Sequence, residues 1–277
     1  MHIEIKHSGL DPDQNEVVHL LWTGGWDSSF RLLQLLTMYR LKVQPYYIID
    51  PDRENLFYEL RSMQTIRKNI SDTFSNLSEN LLPTFFVDLQ NIPLDNEIIK
   101  SLNRIREANP LGEQYDWLSS FVSAYNIKDL EISLEKGGHG IFNFLRKKFI
   151  YIQENGLGFF RLDPKCKDSD EYRVFHNFRF PLMETTKLDM ERISSEQGFY
   201  HILNSSWFCH HPRRNGKPCG VCIPCMGAVD AGMRYRLPRS GRLRYRLRNI
   251  ISKENFKKAF PRLHGIARTI KQLVKPK

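Results

Sequence analysis

The sequence predicts an α/β fold: a doubly wound parallel sheet carrying a four-cysteine knuckle and a basic helical C-terminal extension. Three observations predict it. Short apolar strand segments alternate with amphipathic helical segments over residues 17–134, the pattern of a parallel sheet with helices on its faces. A glycine pair, Gly24-Gly25, stands at the first strand-to-helix junction. Four of the five cysteines fall between Cys209 and Cys225.

Taken in order, residues 17–22 read as the first strand. Residues 29–39 follow as a helix, with Phe30, Leu32, Leu33, Leu35 and Leu36 giving a broad apolar face. The next strand, 46–49, ends in Asp50-Pro51-Asp52-Arg53. Leu56, Leu60, Met63, Ile66 and Ile70 then recur at helical spacing. Residues 84–87 form the third strand. Ile98, Ile99, Leu102 and Ile105 mark one further helix, and Trp117, Leu118, Phe121 and Val122 another. Residues 129–134 form the fourth strand. In such sheets ligands sit beyond the carboxyl ends of the strands. That rule gathers the 23–29 loop, Asp50, Asp88 and residues 131–136 around one crevice.

Residues 137–180 are less regular. A flexible Gly137-Gly138-His139-Gly140 stretch precedes Phe142, Phe144, Phe149, Tyr151, Phe159, Phe160, Phe175, Phe178 and Phe180, interleaved with Arg146, Arg161, Arg173 and Arg179. Such aromatics either stack a heterocycle or pack as a satellite core or dimer interface. The packing reading is favoured. A helix running to Gly198 follows Thr186-Lys187. The division expected is a body of residues 1–232, holding the 137–180 insertion and the 209–225 knuckle, and a basic helical tail of residues 233–277. Phe256, Phe260, Leu263, Ile266, Ile270 and Leu273 recur at helical intervals near the end.

The glycine loop is where chemistry concentrates. In Trp22-Thr23-Gly24-Gly25-Trp26-Asp27-Ser28-Ser29 an apolar strand runs into two glycines, an acid and two hydroxyls, and then a helix. Glycine admits positive φ and close approach of the backbone to an anion. A helix start offers orphan N–H groups and a positive dipole end. Thr23, Ser28 and Ser29 add hydroxyl donors, and Asp27 is placed to help hold a Mg2+ against phosphates. The spacing fits neither a Walker-type loop nor a dinucleotide fingerprint.

Cys209, Cys219, Cys222 and Cys225 have the spacing of a closed tetrahedral zinc site, which leaves no position for water and makes the metal structural. An iron–sulfur cluster is the main alternative. A disulfide pair would need an oxidising compartment, and His210 or His211 could replace one thiolate. Cys166 stands alone as an ordinary thiol.

The loop resembles the Ser-Gly-Gly-x-Asp-Ser motif of the PP-loop ATP pyrophosphatases, with Thr23 in place of the first serine. Together with the C-x9-C-x2-C-x2-C knuckle it resembles the 7-cyano-7-deazaguanine synthases of the QueC type. Further likeness lies in Pro181-Leu182-Met183, Thr186-Lys187 and the 204–209 approach to the first cysteine. Leu111-Gly112-Glu113-Gln114 sits where that family has a Pro-Gly-Arg-Asn-like turn. The resemblance covers residues 15–135 and 181–232. It implies an adenine nucleotide alpha hydrolase-like fold and a ligase that adenylates a small-molecule carboxylate, 7-carboxy-7-deazaguanine, and converts it with ammonia to an amide and then a nitrile. It further implies ATP, Mg2+ and structural Zn2+, and a homodimer. Carried onto this chain, the catalytic residues are Asp27 and Ser28. The ATP-binding set is Trp22, Thr23, Gly24, Gly25, Trp26, Asp27, Ser28, Ser29, Asp50 and Gly112. The insertion departs from the family's acceptor-binding segment. An RNA or protein-terminus acceptor, or an inactive ATP-binding module, therefore stands as the alternative.

Composition adds bounds. The chain of 277 residues carries 41 Lys/Arg against 31 Asp/Glu, a formal +10. The excess is local: residues 234–277 hold 15 Lys/Arg and one acid, Glu254, while the rest carries 26 and 30. Such asymmetry points to an anionic partner, nucleic acid or acidic protein, for the tail. No apolar run reaches the ~18 residues a membrane helix needs, and no signal-peptide pattern opens the chain. A cytoplasmic protein is expected.

Overall fold

The computed structural model describes residues 3–5, 17–109, 111–136 and 144–251. Strand β1 is Ile3–Ile5 and β2 is Val17–Leu21. Helix α1 (Trp26–Thr37) follows. Phe30, Leu32, Leu33, Leu35 and Leu36 are all fully buried, so α1 is enclosed nearly all round. Strand β3 (Lys42–Ile49) begins four residues earlier than the sequence pattern indicates, because it runs through Pro45. In a parallel ladder the N–H and C=O of one residue face the same neighbour. Leu82 N donates to Val43 O, so Pro45, two residues on, faces the same way, toward Pro83, where no ladder bond is required. Its missing N–H therefore goes unnoticed.

Helix α2 (Leu56–Thr73), β4 (Phe85–Asp88), α3 (Asn96–Ala108) and α4 (Gln114–Ala124) complete the alternation. Asp95 caps α3 by accepting from the N–H groups of Glu97 and Ile98. The fourth sheet strand, β5, is only Leu130–Glu131, shorter than the 129–134 expected. The left-handed φ of +57° at Asp129 and the tight Leu134 N to Ile132 O turn explain the shortening.

The insertion contains a hairpin, β6 (Phe149–Glu154) and β7 (Leu157–Leu162). Its two-residue turn, Asn155-Gly156, has φ of +49° and +78°, as a type I′ turn requires. The hairpin takes β1 as a parallel third strand. Helix α5 (Asp170–Phe175) and β8 (Phe178–Arg179) follow, and Phe160 and Phe180 bridge the hairpin to the end of β8. Phe149, Phe160, Phe175, Phe178 and Phe180 join Tyr46, Ile48, Phe121 and Leu130 in one buried cluster. The aromatics of the insertion thus extend the main core. Helices α6 (Lys187–Glu196) and α7 (Tyr200–Leu203) end this part.

The main sheet is parallel throughout, in the order β4-β3-β2-β5-β8. The chain winds outward from β2 to one edge and then returns to its other side, so the order reverses at β2. In open parallel sheets the carboxyl end of the strand at such a reversal is where ligands characteristically bind.

Two compact units divide the chain, Met1–Trp207 and Phe208–Lys277. The second holds the four cysteines, helix α8 (Ile223–Asp230) and the basic helix α9 (Arg239–Ile251). The Gly137–Gly140 stretch, Phe142 and the helical pattern over residues 256–274 lie outside the described residues. No helix among the described residues is long and apolar enough to cross a membrane.

Candidate functional site

The loop leaves β2 at the strand-order reversal and is gripped from below. Trp22 is fully buried, and its Nε1 donates to Ser29 Oγ at 3.0 Å, so these two side chains brace the loop from beneath. Gly24 has φ +67°, and a Cβ there would stand 2.9 Å from both Glu59 O and Met63 Cγ of α2. Only glycine satisfies both the conformation and the contact. The Gly24 carbonyl accepts from Ser62 Oγ and from Trp207 N, each at 2.9 Å. Above this support, Thr23 N donates to Ser28 Oγ at 3.3 Å, and the Thr23 and Ser28 hydroxyls lie 3.4 Å apart. The first bond within α1 runs from Ser29 N to Gly25 O, and the N-cap, Gly25, supplies no side-chain acceptor. Trp26 is buried and packs edge-on against Tyr200.

Asp27, in the first turn of α1, does not stand alone. Lys187 Nζ, from the first residue of α6, donates to its Oδ1 and Oδ2 at 2.7 and 2.9 Å, and to Glu135 Oε1 at 2.6 Å. Burial works against the Lys187 ammonium, but the two carboxylates outweigh it and raise its pKa. Burial, then the charge of Asp27, pushes Glu135 up. Thr186 presents Lys187 through a capping box: its Oγ1 accepts from Asp189 N, and Asp189 Oδ2 accepts from Thr186 N at 3.0 Å.

Asp50 lies at the carboxyl end of β3, next to β2. Its carboxylate faces Arg53 at 3.7 Å and accepts from Asp52 N. Behind it Glu59 is buried and accepts from Tyr47 Oη at 2.6 Å and Asn55 Nδ2 at 2.7 Å. Burial raises its pKa despite these donors. Asp88 caps the turn after β4, and Glu131 is sealed in the core against Arg31. Gly112 is in a different place. Its carbonyl accepts from Arg106, and it adjoins a cavity of about 630 Å³ lined by Leu89, Ile92, Arg106, Leu111, Glu113 and Trp117, with no residue of the loop.

In the second unit the Sγ atoms of Cys209, Cys219, Cys222 and Cys225 all lie within 4.8 Å of one another. The Cys219–Cys225 and Cys209–Cys222 separations are 3.9 Å. A tetrahedron of sulfurs ~2.3 Å from one ion has edges of about 3.8 Å, so the group fits a single metal ion. It leaves no room for several irons with their sulfides. The N–H of Cys219 donates to Cys209 Sγ at 3.1 Å, and those of Val221 and Cys222 donate to Cys219 Sγ. His210 and His211 stay outside the group.

Sequence reasoning found the loop and the four cysteines. It named Lys187 only within the family likeness and Glu135 only within the 131–136 span, and gave neither a role, because they meet Asp27 only through tertiary folding. No protein-family model matches the chain, and no curated protein matches it.

Proposed function

We propose that this chain is an ATP-dependent ligase of the PP-loop kind, acting on a small-molecule carboxylate of the 7-carboxy-7-deazaguanine type and releasing AMP and pyrophosphate. The doubly wound arrangement of that superfamily is part of the same proposal. One observation carries the reading: a glycine loop at the reversal of strand order, with a half-buried lysine held against its acid. Polyphosphate needs backbone donors, a cation and a carboxylate able to hold Mg2+ at one helix start, and this loop gathers all three.

In this reading the N–H groups around Gly24 and Gly25 and the hydroxyls of Thr23 and Ser28 hold the phosphates, while Trp22 and Ser29 keep the loop in shape. Lys187 turns from Asp27 to the departing pyrophosphate, which frees the Asp27 carboxylate for a metal. Bound Mg2+ would neutralise the phosphate oxygens. Asp50 stands at the neighbouring strand end. β4 is two strand spacings, about 10 Å, from β2 in the sheet. The cavity beyond its carboxyl end has the volume of a small-ligand site and is proposed as the acceptor pocket, which gives Gly112 its place. The four cysteines hold structural zinc.

The test is pyrophosphate release by metal-loaded protein given ATP, Mg2+, ammonia and 7-carboxy-7-deazaguanine. Wild-type release, a nitrile in the product mass and at least a hundredfold loss in Asp27→Ala are expected. ATP bound without release would reject this acceptor. Release with another acceptor would keep the ATP chemistry and change the substrate.

A further inference from the structure

We propose that the second unit is a nucleic-acid-binding module in which the cysteine-bound metal presents an arginine-rich surface to a phosphate backbone. This inference does not rest on the ligase reading. Residues 208–251 hold ten Lys/Arg and one acid, Asp230, a formal +9. Exposed Arg213, Arg214, Lys217, Arg234, Arg239 and Arg246 have no carboxylate within ion-pair distance among the described residues. A folded surface bearing six such cations is electrostatically incomplete, and a polyanion completes it.

The metal site and this surface are mechanically one object. Arg244 Nε donates to Cys219 O at 2.6 Å, and Arg248 donates to Val221 O, so two arginines of α9 satisfy carbonyls of the knuckle. Gly220 (φ +85°) faces Gly241 of α9 so closely that a Cβ would stand 2.6 Å from the Gly241 carbonyl carbon and 2.7 Å from its Cα. Arg213 and Arg214 flank a small cavity of about 330 Å³ with Pro212 and Asn215. The metal therefore sets where the helix and the 213–217 loop point.

Three features favour nucleic acid over an acidic protein or an anionic membrane. Nine of the ten cations are arginine, the side chain whose planar fork matches phosphate in two-bond contacts. The exposed cations come from a loop, a turn and a helix, whereas a membrane-surface helix carries them on one of its own faces. Tyr235 is 47% exposed between Arg234 and Arg236, a platform for a base.

The experiment measures fluorescence anisotropy of labelled single-stranded RNA and DNA, ~20 nucleotides long, with full-length metal-loaded protein over a salt series. Polyglutamate and phosphatidylserine-containing vesicles are the competing probes. Binding that weakens with salt is expected, with at least tenfold loss in R213E/R214E and in R239E/R246E. The log–log salt slope should fall by about 0.7 for each phosphate contact removed. Y235A should weaken binding without changing the slope. G220A, which displaces α9, should lower affinity while a metal assay shows the ion retained. Comparison of RNA with DNA identifies which backbone is preferred. The proposal is overturned if wild-type protein binds neither strand, if vesicles or polyglutamate bind as tightly at equal salt, or if both charge reversals leave affinity unchanged.

Discussion

Lys187 reaches Asp27 and Glu135 from the first residue of its helix, so its charge is fixed by position as much as by type. Lys187→Arg keeps the charge but replaces a point ammonium with a planar fork. Pyrophosphate release should fall roughly tenfold in that variant and a hundredfold or more in Lys187→Ala, with melting temperatures close to wild type. Arg31 and Glu131 behave differently. Their bidentate bonds of 2.7 and 2.8 Å are sealed in the core, so removing one partner strands the other charge. Glu131→Gln is expected to cost about 3–5 kcal/mol in urea unfolding, and pairing Glu131→Leu with Arg31→Met should recover most of the loss. In the sequence, Asp27 was legible from the loop motif, and Glu131 and Glu135 fell within the 131–136 span expected at the crevice. The true environment of Glu131 depends on Arg31, a hundred residues away, which no local pattern encodes.

Among elements, the helices and early strands were legible because burial repeats at their own period, and the hidden Pro45 shows where that stops working. The predicted β3 began only after Pro45, whereas the strand runs through it from Lys42, because the missing donor was not needed in the ladder. The Asn155-Gly156 turn carried a strong hairpin signal, yet the flanking aromatics had no period to match it. Helix α5 gives an element-scale prediction. Arg104 of α3 donates to Asp170 at 2.8 and 2.5 Å, and this bond holds the Asp170 carboxyl down from 3.8 to about 2. A lowered folded-state pKa adds stability above the unfolded value and loses it as pH falls through the folded one. The stability gap between wild type and Asp170→Asn should therefore be present above pH 4, shrink as pH falls toward 2 and vanish below it. Because the pair is well exposed, the gap should stay under about 1 kcal/mol in acid-titrated urea melts.

For the molecule as a whole, two compact units imply two unfolding behaviours. A strong chelator should expose residues 208–251 to protease, because a four-thiolate site supplies folding energy directly. The α/β unit should survive as a resistant fragment, and mass spectrometry of the digest reads the outcome. Simultaneous loss of both units would show that they fold as one. The placement of the cysteines beside the arginines also has a consequence over evolutionary time. A Cβ at Gly220 would run into the Gly241 backbone, so position 220 cannot acquire a side chain while the helix keeps its place. In homologous chains position 220 should remain glycine wherever the helix is kept, and lineages that shed the helix should be the first to relax it.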